Sequence, residues 1–159
     1  MKARLVFLRW HHALPGNRAF SRYAQGDPRI DQAKLAQLID SRSLPGPEAE
    51  NATWYRFYKE VHNDQSVKQV HREFLLLRDY AGLAALFLVG FGTVALFTVH
   101  PTRVLAIYCA LLIAQFIIAR HSAATYGIRF VTTVLALKTS APAPAVRTPA
   151  KRAAKMAKS

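Results

Sequence analysis

A reactive centre in this chain would have to come from six histidines, nine carboxylates and a single cysteine. His11-His12 is the most conspicuous pair for a metal ion, but adjacent residues do not share a helix face. No other His, Cys or carboxylate stands at metal-site spacing from them. His62 and the run His71-Arg72-Glu73 have beside them no nucleophile, paired carboxylates or phosphate-cradling loop, and an enzyme requires such a set. Cys109 lies inside an apolar run, where it packs, and a lone cysteine leaves no partner for a disulfide within the chain. The sequence therefore reads as a non-enzymatic protein without metal or cofactor.

One charged group does need a partner. Asp79 stands immediately before an uncharged stretch, and Arg120-His121 immediately after a second one. In an antiparallel hairpin turning near residues 100–101, residue i lies level with roughly residue 201 minus i. Asp79 then comes level with Arg120 and His121. A charge drawn to the centre of hydrocarbon costs roughly 2.5–3.5 kcal/mol. The reading is an Asp79–Arg120 ion pair at the boundary, with Arg78 turned to lipid head groups. An Asp79–His121 proton relay or ligand site is the alternative.

The elements that position this pair are two apolar segments. Tyr80–Val99 holds 20 residues without a charge, and Val104–Ala119 holds 16 with Gln115 as its one strongly polar side chain. A helix of about 20 apolar residues crosses the roughly 30 Å of bilayer hydrocarbon. The second segment reaches that length by including Thr102 and Arg103, whose long stem snorkels to the head groups. Ala106, Ala110 and Ala114 recur every fourth residue, and Gly82, Gly90 and Gly92 thin the first segment. Small residues let helices approach closely where lipid supplies no hydrophobic drive. They are read as the packing face of the hairpin, with self-association as the alternative, and Gln115 is expected to hydrogen-bond across it.

The remainder reads as helical. Residues 1–14 put Ala3, Phe7, Trp10 and Leu14 on one face of a first helix, and the run Leu5–Leu8 is too short for a signal peptide. Pro15-Gly16-Asn17 is a turn, and residues 18–26 have no period. Asp27 and Pro28 supply a cap and first position for a helix through about Arg42, and Leu44-Pro45-Gly46-Pro47 ends it. Trp54, Phe57, Tyr58 and Val61 form a core stripe. Asp64 caps a helix from about Gln65 to Val99, whose seam runs through Val67, Val70, Phe74, Leu77, Ala81, Ala84, Leu88, Phe91 and Ala95. Its first third is a stalk projecting about 20 Å from the membrane. The seam calls for a packing partner along its whole length, either the hairpin's second half or another copy. Residues 123–137, rich in Val, Ile and Thr, fit a helix lying along the interface or a strand.

Charge divides the chain. All nine acids lie in residues 1–79 with 13 basic residues, a net +4, whereas residues 80–159 carry nine basic residues and no acid. The Ala-, Pro- and Lys-rich residues 138–159 cannot bury a core and are expected to be disordered. Within them Arg147, Lys151, Arg152, Lys155 and Lys158 suit an anionic surface, each worth about 1 kcal/mol near anionic lipid. The tail has no aromatic to stack on a base, so any nucleic-acid binding would be non-specific. Basic flanks place both termini in the cytoplasm, as in a bacterial inner membrane, with residues 100–103 on the far side.

The resulting expectation is an all-α membrane protein. It comprises a helical cytoplasmic region (1–63), a stalk (64–79), two transmembrane helices (80–99 and 104–119) joined by a tight turn (100–103), an interfacial or membrane-proximal segment (120–137) and a disordered basic tail (138–159). Its expected partners are the lipid bilayer, anionic head groups, and an unidentified protein or further copies of itself. Its expected role is a membrane anchor presenting an interaction module. An oligomeric channel or membrane-disrupting effector is the second reading, although the spans lack the polar face of an aqueous pore. A tether for nucleic acid through the tail is the third.

Overall fold

The computed structural model describes residues 2–7, 14–39 and 46–140, and every regular element in them is helical. Helix α1 is Lys2–Phe7. Three short turns follow, Pro15–Arg18 and Ala24–Gly26 of 3-10 type around Ala19–Tyr23 of π type. Helices α2 (Gln32–Leu38) and α3 (Pro47–Val61) come next, then two long ones, α4 (Gln65–Thr98) and α5 (Thr102–Ser140). At 1.5 Å per residue α4 and α5 are about 50 and 60 Å long.

Local chemistry sets the starts of these helices. The Asp64 carboxylate accepts from Ser66 N at 2.8 Å and caps α4 where its polar end begins. Pro47 occupies the first turn of α3, where a missing N–H costs nothing. The cap of α2 is Asp31, which accepts from Lys34 N at 3.1 Å, rather than the expected Asp27. Asp27 instead accepts from Arg29 N at 3.0 Å. That bond closes an Asx turn, which competes with helix initiation at Asp27-Pro28. The periodless residues 18–26 are held by Glu50 of α3. This buried carboxylate takes Phe20 N at 2.9 Å and Ser21 N at 3.1 Å, clamping a segment with no regular helix of its own.

Helices α4 and α5 form an antiparallel pair, and α1, the turns, α2 and α3 gather around one end of it. The core at that end joins Phe20, Ile30, Leu35, Trp54 and Phe57 to Val67, Val70 and Phe74 of α4 and to Phe130, Val131, Val134 and Leu135 of α5. The stalk's partner is therefore the second half of the same hairpin. Residues 123–137 do not form a strand: they continue α5. Val131, Val134 and Leu135 are fully buried there, and every residue from Phe130 to Leu135 is buried. A helix apolar on all sides belongs in a core, and its β-branched content is overridden by the surrounding helices. The helix also runs into the expected tail. Thr139 is buried and Lys138 bonds Glu60, so residues 138–140 belong to the fold. Trp10, His11-His12, Arg42, Leu44-Pro45 and the five tail cations Arg147, Lys151, Arg152, Lys155 and Lys158 lie outside the described residues.

Gly127 is where α1, α4 and α5 converge. A Cβ there would stand 2.8 Å from Phe7 Cζ and 3.0 Å from Phe74 Cε2, so only glycine admits both rings. A second small cluster continues the seam toward the turn, with Val6 of α1 against Ala81, Ala84, Ala119 and Ala123. Beyond it the helix pair is bare. Val89 and Leu86 are 68% and 67% exposed, Phe97 79%, Ile107 and Leu111 64%. Both helices are long and apolar enough to span a membrane, and only 17% and 6% of their most apolar 18 residues are buried. The core helix of a soluble protein is mostly covered, so these two do not fit that description.

A candidate anion-binding cavity beside the apolar helices

The register of the hairpin is as the sequence implies at His71, which stacks on Phe130 at 4.8 Å between ring centroids; Gln115 Nε2 donates across to the Tyr80 hydroxyl at 3.3 Å, six residues off the expected level pairing. The angular positions differ. Asp79 accepts from Arg78, Nη2 at 3.1 Å and Nε at 3.2 Å, and neither Arg120 nor His121 reaches it. Arg78 is accordingly turned to Asp79. Ala119 and Ala123 occupy the α4-facing side of α5 at this level, and Arg120 stands about 100° further round the helix. Level pairing in a hairpin fixes height; the helical angle decides contact.

The small residues are displaced in the same way. Ala106, Ala110 and Ala114 are all exposed, and the positions of Gly82, Gly90 and Gly92 have open space around them. The close approach of α4 to α5 is made by Ala81, Ala84, Ala119 and Ala123 instead. Phe91, expected on the seam, is 52% exposed.

Rotating Arg120 off the seam points it into a cavity of about 730 Å³. Arg120, Ala124, Ile128 and Thr132 form its α5 wall, at successive fourth positions along one face. Val6 and Phe7 of α1 close one side. Leu14, Arg18, Arg22, Tyr23, Asp27 and Pro28 also line it, with Arg29, which reaches Thr132.

Four arginines face one carboxylate here. That carboxylate is already taken. Arg29 grips Asp27 with both arms of its fork, Nε to Oδ1 at 2.9 Å and Nη2 to Oδ2 at 2.6 Å, and reaches Thr132 Oγ1 at 3.2 Å. The Arg29 guanidinium, helped by Thr132, holds the Asp27 carboxyl far below the usual aspartate range. Arg18, Arg22 and Arg120 have no ion pair among the described residues. Glu50 lines an adjoining hollow with Arg18 and Arg22 but is committed to the backbone of Phe20 and Ser21. Arg120 also carries a buried Nε–H without a hydrogen-bond partner. A buried unsatisfied donor costs about 1–3 kcal/mol.

Sequence reasoning missed Arg18 and Arg22, because the stretch that holds them has no period, and Arg29, because the sequence places it within a helix starting at Asp27. A signal was present all the same: the 26 residues before Asp27 contain five basic residues and no acid.

The other polar cluster is structural. Phe130 is packed by Phe74, Trp54, Tyr58 and His71, and His71 Nδ1 lies 3.3 Å from the Tyr58 hydroxyl. Burial, and then the nearby Arg78 charge, lower the His71 pKa. The stripe Trp54, Phe57, Tyr58 and Val61 belongs to this core. No group of three or more metal-ligating side chains occurs among the described residues. Comparison with protein-family models, curated proteins and solved structures finds no match.

Proposed function

We propose that the chain is an integral membrane protein in which residues 80–119 cross the bilayer as a helical hairpin and hold the remaining helices as a head against one membrane face. The head is a non-enzymatic interaction module for a protein partner or a second copy. The observation that carries this reading is the bare apolar half of α4 and α5, where large side chains such as Leu86, Val89, Phe97 and Leu111 are exposed around the helix pair. Monomeric soluble proteins rarely leave apolar patches above a few hundred Å² uncovered, and hydrocarbon is the medium in which such a surface has no cost.

Several features support the orientation. Arg103 stands alone at the turn, while Arg78, Arg120 and Arg129 flank the head end, and the positive-inside rule puts that end in the cytoplasm. Thr93 and Thr98 bond the carbonyls of Val89 and Val94 at 2.6 and 2.9 Å. Their hydroxyls are thereby spent within the helix, which favours an anchor over an aqueous pore. Alkaline carbonate extraction of membranes from expressing cells tests the reading, together with protease protection. Retention in the pellet and cleavage of the head only from the cytoplasmic side are the expected outcomes. Release into the supernatant, or a head protected on that side, would contradict it.

A further inference from the structure

We infer that the arginine cavity is a binding site for the phosphate of an anionic phospholipid from the leaflet that faces the head. The inference rests on the membrane reading for its depth, and on the cavity itself for its chemistry. Arg120 directly follows the second apolar segment, so the hairpin places its guanidinium at head-group level. Arg18 and Arg22 line the same cavity. The three cations have no ion pair among the described residues, and the one carboxylate in the cavity is held by Arg29. The Arg120 Nε–H is buried without a hydrogen-bond partner, and a phosphate oxygen in the cavity would engage it once the guanidinium turns outward.

The guanidinium fork presents paired N–H groups that match phosphate oxygens, which an ammonium does not. Apolar side chains share the lining with the arginines: Leu14 and Ile128 are 50% and 36% exposed beside them. A free anion has no use for such neighbours. An amphiphile does, because its glycerol and first methylenes lie against them while the phosphate meets the charges. The shared chemistry with inorganic phosphate is nevertheless plain, and the test has to separate the two sources.

The full chain in mild detergent is titrated with phosphatidylglycerol, with phosphatidylcholine and with inorganic phosphate, and bound molecules are counted by native mass spectrometry. Arg120→Gln, Arg120→Lys and the pair Arg18→Gln with Arg22→Gln are compared with Arg72→Gln, an exposed α4 residue away from the cavity. The basic tail is present in every variant, so its contribution is common to all. One phosphatidylglycerol is expected to bind in preference to phosphatidylcholine, roughly tenfold more weakly in Arg120→Gln. Arg120→Lys should fall between, and Arg72→Gln should match the parent chain. Circular dichroism melts identify any variant that has merely unfolded, and Arg120→Lys then carries the comparison. Equal retention of both lipids, or unchanged binding in every cavity variant, overturns the inference. Binding of inorganic phosphate without lipid preference overturns the lipid source. A chain that carbonate releases from membranes defeats the membrane reading separately, whatever the titration gives.

Discussion

The two ends of the α4–α5 pair have the same apolar character and opposite surroundings. At one end Val131, Val134 and Leu135 are fully buried beneath α1, the turns and α3. At the other, Val89, Phe97, Leu111 and Ile118 are each more than 60% exposed, and no described residue outside the pair covers them. Apolar content alone does not separate these regions. What separates them is the set of described elements that precede α4, which gather around one end of the helix pair. Burial within the chain and burial in lipid are alternative solutions to one physical problem, and under the proposed membrane reading a single pair of helices uses both.

The sharpest way to break the comparison is to charge the bare end. Val89→Arg with Leu111→Arg places two cations at mid-span, each costing about 2.5–3.5 kcal/mol in hydrocarbon. Insertion should fail, with the protein lost from the carbonate-resistant fraction; normal insertion would mean that water already reaches these positions. Substitutions in the covered end should leave insertion intact and weaken the head. Glu50→Ala removes the acceptor for Phe20 N and Ser21 N, and loss of the buried charge-assisted bonds should cost about 2–3 kcal/mol in urea unfolding of the head. Gly127→Val forces a side chain against Phe7 and Phe74, and overpacking of this kind costs about 1–3 kcal/mol, read from the same unfolding curve.

The smallest effect is with pH. The folded His71 pKa lies below its ordinary value of about 6.5, so the fold prefers the neutral ring. Stability is complete above that ordinary value and declines as pH falls below it toward the folded pKa. The parent head should therefore melt slightly lower at pH 5 than at pH 7. In His71→Phe this histidine's share of the difference should vanish while insertion is unchanged at both pH values.

Much of the helical frame was legible in the residues. Asp64 as a cap, the break at Pro47, one helix crossing from polar to apolar sequence, and the level pairing of the hairpin all follow from short-range chemistry and periodicity. Gln115 does bond across the hairpin, but to Tyr80, six residues away from the position that level pairing would put opposite it. The candidate site was far less legible, for reasons that are physical. Which residue stands opposite Asp79 is a matter of height, but whether it touches Asp79 depends on helical angle, and that is set by the alanines packed between α4 and α5. Likewise, the alanine stripe 106, 110 and 114 looked like a seam because small residues permit approach without requiring it. Residues 123–137 were ambiguous since Val, Ile and Thr favour strands in isolation, and only the encircling helices decide otherwise. Arg18 and Arg22 sit in turns held by Glu50 across nearly thirty residues of sequence, a contact that no local pattern announces.

The most direct test of the central claim is the reactivity of single cysteines in sealed native membranes, with Cys109 replaced by alanine. Leu111→Cys, on a side chain 64% exposed in the folded chain, is compared with Arg72→Cys on the head end of α4. A lipid-covered hairpin predicts that a charged, membrane-impermeant maleimide labels position 72 from the cytoplasmic side. Position 111 should react from neither side until the membrane is dissolved under denaturing conditions. Labelling of position 111 in intact membranes at the rate of position 72 would contradict the account.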